Sequence, residues 1–124
     1  MTLGVVLLAH GAAEQVEDVE AYLNYVPGRR PGSPHVVEEV RHRYAAIGGS
    51  SPLLAWTRQQ ARALAELLAL PVLFGMRNGH PFIGETMEQV RPAGIERRAA
   101  TCLTPQFSEV SVGLYMKRTE HARQ

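Results

Sequence analysis

A single cysteine in 124 residues leaves this chain without the means to form an intramolecular disulfide. A four-cysteine zinc site and a self-contained iron–sulfur cluster are excluded on the same count. Cys102 lies in the apolar run "AATCL", where its plain reading is a small core residue. Excess charge of either sign is also missing. Thirteen basic against twelve acidic side chains give a net charge of +1, so no broad nucleic-acid surface is expected. No apolar run approaches the roughly 20 residues that span a bilayer. The start of the chain carries no basic region followed by a small-residue cleavage site, so a cytoplasmic protein without an integral membrane segment is expected. Two nucleotide signatures are absent as well. "AHGAAEQ" lacks the three glycines of a dinucleotide fingerprint, and no glycine-rich loop ends in Gly-Lys-Ser/Thr. Nor is there a Gly-x-Ser-x-Gly nucleophile elbow.

What is present is the patterning of one α/β domain over residues 1–124, with 45% hydrophobic and 20% charged residues. Residues 3–9 form a continuous apolar run suited to a strand covered on both faces. A helix is expected over residues 16–25, with Glu14, Glu17 and Asp18 near its positive end. "VPGRRPGSP" (26–34) is a loop by its prolines and glycines. Residues 36–47 return to helical spacing, with Val36, Val37, Val40, Tyr44 and Ile47 on one side. In "GGSSP", Gly48 suits a left-handed terminus, Ser51 an N-cap and Pro52 the first helical position, opening a helix over 53–68. Further strands are expected at 70–77 and 97–103, with helices at 81–90 and 110–121. Strands separated by helices need crossovers, so the expected fold is a three-layered α/β one, with a short parallel sheet of about three strands flanked by helices. So few strands leave two unpaired edges, a hint that something else completes the structure.

Ligands of open parallel sheets bind beyond the carboxyl ends of the strands. Three loops qualify, "AHGAA", "MRNGHP" and "TPQFS", and they should gather His10, Arg77, His80 and Gln106 on one rim. For His10 a turn residue bonded to its own loop stands level with a functional role. Imidazole's place among metal ligands and proton carriers tips that balance slightly towards function. For His80, before a proline, a turn residue is the stronger reading. His35, His42 and His121 are explained by solvated helix faces. Arg29 and Arg30 read as solubilising residues or as a two-pronged carboxylate clamp on a mobile lip.

Several segments together resemble the ferrochelatases, which insert ferrous iron into a porphyrin. They are "GVVLLAHG", "EDVEAYL", "GRRP", "RYAAIGGSSPL" (43–53), "VLFGMRNGHPFI" (72–83) and "LTPQFSEVSVGLYMKR" (103–118), in family order across nearly the whole chain. The resemblance implies a Rossmann-like half, ferrous iron as substrate, a porphyrin or haem ligand, and a cleft closed by a second half. It places His10 on the axial side of the porphyrin metal, where the family often has tyrosine or methionine. Arg43, Tyr44, Ser51 and Tyr115 match positions that contact the ring or its propionates, and Arg29 and Arg30 match the propionate lip. Pro27 stands where the family can carry an additional arginine. The family's proton-abstracting histidine, in an Ala-His-Ser segment, and its partner glutamate find no match here, and Gln106 stands where relatives can have a histidine. "LAHG" is also similar to the first histidine of the small class II chelatases, which work as homodimers. The resemblance therefore implies a chelatase chain with His10 as metal ligand or proton acceptor, completed by a second copy or a separate C-terminal half. A porphyrin- or haem-binding module without catalysis is the other reading, and a split-enzyme subunit a third.

Overall fold

The computed structural model describes residues 2–26, 33–104 and 112–121. Strand β1 (Leu3–Ala9) is the centre of a three-stranded sheet. It is flanked by β2 (Val72–Met76) and β3 (Arg97–Cys102) in the order β2-β1-β3. Both pairings are parallel, with Val5 opposite Val72 and Ala99, and Ala9 opposite Met76. The unbroken apolar run of β1 is buried from Gly4 to Ala9, as a central strand covered on both faces requires.

Alternate side chains of β1 serve two different cores. Val5 and Leu7 pack with Val72 and Phe74 against Ala61 and Leu64 of helix α3 (Leu53–Leu68). Val6 and Leu8 pack with Leu73 and Cys102 against a larger cluster. That cluster holds Ile83 and Met87 of α4 (Ile83–Glu88), Val90, Ile95, and Tyr115 of α5 (Val112–His121). The molecule is thus α/β with three layers, as expected. Helix packing on β2 is close: a Cβ on Gly75 would stand 2.9 Å from Ile83 Cα.

A third cluster lies off the sheet. Helix α1 (Val19–Tyr25) and helix α2 (Pro34–Ala46) pair through Val19, Leu23 and Val37, with Ala13 beneath and Tyr22, Val36, Val40 and Tyr44 around them. Here several boundaries differ from the sequence-based expectation. The first helical segment opens as a 3₁₀ turn (Val16–Asp18) before α1. Helix α2 starts at Pro34, two residues early, because Ser33 Oγ accepts from the Val36 amide at 3.4 Å and proline suits the first turn. Ile47 is past the end of α2 and 63% exposed, not on its packed side. Helix α4 is short because residues 89–94 are turns around Pro92, which has no N–H to extend a helix.

Candidate functional site

The site begins where β1 and β2 stop. Their parallel pairing continues past the strands, with the Arg77 amide donating to Ala9 O at 2.9 Å and the Asn78 amide to His10 O at 3.0 Å. The two tip loops then touch through glycine. Gly11 has φ +84°, and a Cβ there would stand 3.1 Å from Gly79 N, while one on Gly79 would stand 3.0 Å from Ala12 O. Side chains at either position would push the loops apart. This close seam presses Asn78 against His10.

His10 is half-buried and held at both ring nitrogens. Nδ1 lies 2.9 Å from Gly11 O, and Nε2 lies 3.4 Å from the Asn78 amide nitrogen. A carbonyl only accepts, so Nδ1 carries the proton and Nε2 bears the lone pair. The ring also meets Tyr22 of α1 edge-on, with centroids 6.3 Å apart. His10 does bond its own loop, as its plain reading holds, and it is set towards α1 as well.

The segment "RYAAIGGSS" straps the loop beyond His10 in place. The Ala13 amide donates to Tyr44 Oη at 3.2 Å, Val16 N to Gly49 O at 3.1 Å and Ser51 N to Glu14 O at 3.3 Å. Gln15 and Ser50 form an antiparallel bridge within the same strap. Gly48 and Gly49, with φ +101° and +87°, turn the chain into it. Ser51 Oγ accepts from Leu53 N at 3.2 Å at the start of α3. So Tyr44 and Ser51 act on the loop and helix start. Arg43 is exposed and paired with Glu39 at 2.6 Å.

Between α1 and the two tip loops lies a cleft of about 270 Å³. Its walls are Asp18 from the 3₁₀ turn, Ala21, Tyr22 and Tyr25 from α1, residues 12–14, and Asn78, Gly79, His80 and Phe82 from the β2–α4 connection. Tyr25 and Phe82 meet edge-on at 5.1 Å, and His80 and Phe82 at 4.5 Å. His80 keeps the turn role expected of it. Its Nδ1 lies 3.0 Å from Glu85 Oε1, while Glu85 Oε2 accepts from Phe82 N at 3.0 Å. The hydrogen bond from His80, helped by the Phe82 amide, holds the Glu85 carboxyl below its ordinary pKa.

Two residues expected near the rim lie elsewhere. Arg77 is 4% exposed, and its guanidinium sits 5.2 Å over the ring of Tyr115 rather than in the cleft. Tyr115 itself is fully buried in the α4–α5 core, and burial pushes its phenol pKa up against smaller pulls from Thr104 and Arg77. Burial likewise raises the Cys102 thiol, in line with an inert core residue. Arg29, Arg30, Pro27 and Gln106 lie outside the described residues. Among the described residues no group of three or more His, Cys, Asp or Glu is placed to hold a metal ion, and no helix is long and apolar enough to cross a membrane. Asn78, Tyr25 and Phe82 were not singled out by sequence. The signal for Asn78 was its place two residues beyond Met76, the strand-end partner of Ala9.

A family model for ferrochelatase matches residues 2–124. The chain belongs to the ferrochelatase family. It is 50% identical over 113 residues to a ferrochelatase of Acidobacterium capsulatum, covering 91% of this chain and 34% of that protein. It is 35% identical over 125 residues to a ferrochelatase of Deinococcus radiodurans, covering 97% and 40%. A coproporphyrin III ferrochelatase of Oceanobacillus iheyensis is 32% identical over 123 residues, covering 94% and 39%. The chain thus spans 34% to 40% of the length of these ferrochelatases.

Proposed function

We propose that this chain supplies one wall of a porphyrin metallation site that inserts ferrous iron, a second chain completing the cleft. The observation that carries the reading is the aromatic cleft at the strand tips, with His10 directly behind its Asn78 wall rather than among the lining residues. Flat macrocycles are gripped by aromatic and apolar surface, and Tyr22, Tyr25 and Phe82 offer it. Insertion exchanges two pyrrole N–H protons for one ferrous ion, so the site needs a proton acceptor and a group that steadies the ion. The Nε2 lone pair of His10 can serve in either role once the Asn78 amide, 3.4 Å away, releases it. Arg29 and Arg30 would pair with the ring's carboxylates, which arginine binds in a two-pronged geometry. Tyr44 and Ser51 would support the wall through the strap, whereas Arg43, exposed and paired with Glu39, and Tyr115, buried in the α4–α5 core, are not among its lining residues. The name of the Oceanobacillus relative favours coproporphyrin as the ring. The completing chain is a second copy or a separate C-terminal half, and the compartment is the cytoplasm.

The test is to mix purified chain with coproporphyrin III and ferrous iron, alone and with a matching C-terminal half. Ring binding is read from the absorption band of the porphyrin, and insertion from the spectrum of the iron complex. A chain that neither binds the ring nor inserts metal under any of these conditions ends the proposal. A second reading, ring or haem binding without metallation, is favoured by the aromatic lining of the cleft, which grips a ring without itself supplying a proton acceptor. A haem-band shift lost in His10→Ala, with no insertion in any mixture, selects it.

A further inference from the structure

We propose that Asn78 is a positioning residue for His10: its side-chain amide fixes the imidazole in the Nδ1–H form and makes Nε2 the ring's one basic atom. The inference deepens the proposed function and rests on it for the chemical use of that atom, though not for the geometry.

The argument starts from what Gly11 O permits. At 2.9 Å from Nδ1 it can only accept, which assigns the ring proton to Nδ1. Nε2 must then accept, and the partner at 3.4 Å is the amide nitrogen of Asn78, the donor end. The two assignments agree without further assumption. Asn78 is 1% exposed, and its Oδ1 meets no hydrogen-bond partner among the described residues. A buried amide with an idle oxygen is costly, and an aliphatic side chain would avoid that cost. Anchoring the loop does not explain it, since the backbone N–H of Asn78 already bonds to His10 O at 3.0 Å. What the amide uniquely supplies is a donor aimed at Nε2. An aspartate there would offer only acceptors and demand the opposite tautomer. A leucine would leave Nε2 unpaired.

The test uses the 124-residue chain with ¹⁵N-labelled histidine, read by long-range ¹H–¹⁵N spectra well above the ordinary histidine pKa of about 6.5. Loss of a signal in His10→Gln assigns the ring. Wild type is expected as the Nδ1–H form. Asn78→Leu is expected to move the ratio about fivefold towards Nε2–H, the worth of one neutral hydrogen bond. Asn78→Asp is expected to move it further in the same direction, with circular dichroism confirming the fold of each. A wild-type ring protonated at Nε2, or folded variants with the wild-type ratio, overturns the proposal. If Asn78→Leu fails to fold, wild type and Asn78→Asp decide. A porphyrin titration of the same samples separates the two ideas. The expected tautomers without ring binding keep this assignment and remove the metallation reading, whereas ring binding with unmoved tautomers does the reverse.

Discussion

The Ala13 amide donates to Tyr44 Oη at 3.2 Å from a residue only 3% exposed, so water has little access to replace that oxygen. Tyr44→Phe keeps the ring's packing in the α1–α2 cluster and removes only the acceptor. We expect a loss of about 1–2 kcal/mol, seen as a lower urea midpoint at unchanged slope. An unchanged midpoint would mean the strap does not depend on this bond. Gly11 is the second sensitive point. Its φ of +84° disfavours any side chain, and a new Cβ would meet Gly79 N at 3.1 Å. Gly11→Ala should cost at least the roughly 1–2 kcal/mol of a left-handed L-residue. Its seam with Gly79 would open, which a comparison of amide exchange at residues 77–79 would detect as faster exchange.

At the scale of elements, the start of α4 is held by His80 and Glu85 across an exposed turn. Because the folded Glu85 carboxyl is held below its ordinary pKa, its contribution is present above the unfolded value, about 4.3. It fades as pH falls through the lower folded value. The acid limb of the stability curve should therefore be shallower in Glu85→Gln, by urea midpoints taken between neutral and acid pH. Parallel limbs in the two proteins would refute this link. The elements were largely legible in sequence because their causes are local. An unbroken apolar run gives β1, Gly48 and Ser51 mark the gap between α2 and α3, and an Ala/Leu/Gln/Arg-rich stretch gives α3. What escaped is tertiary. The 3₁₀ opening of α1 follows from Gln15 and Val16 bonding to Gly49 and Ser50, and nothing near Val16 announces it. Arg77 reads as a rim residue from its place in the strand-tip loop "MRNGHP", yet the aromatic face of Tyr115 accommodates its buried guanidinium. Asn78 becomes visible only once the pairing of the strand tips is known, which sets its backbone and side-chain amides against His10.

For the whole molecule the question is how much of a macrocycle this wall can hold. Ligand pockets that enclose a drug-sized molecule measure roughly 300–1,000 Å³, and the cleft here is about 270 Å³. On the proposed function it would take part of a porphyrin, leaving much of the ring to be covered by something else. Binding by this chain alone should be weak and should depend on the aromatic lining. Each edge or stacking contact is worth about 0.5–1.5 kcal/mol beyond buried area, so Tyr22→Ala and Phe82→Ala should each weaken coproporphyrin binding by about two- to tenfold. Phe82→Ala should have the larger effect, because Tyr25 and His80 both pack on that ring and would lose their support. Arg62 lines a separate groove between α3, β2 and α4, so Arg62→Ala should bind as wild type does. Fluorescence quenching of the porphyrin gives the three affinities side by side. If all three variants weaken alike, the ring is adsorbing to general apolar surface. If none does, it is held elsewhere than at the strand tips.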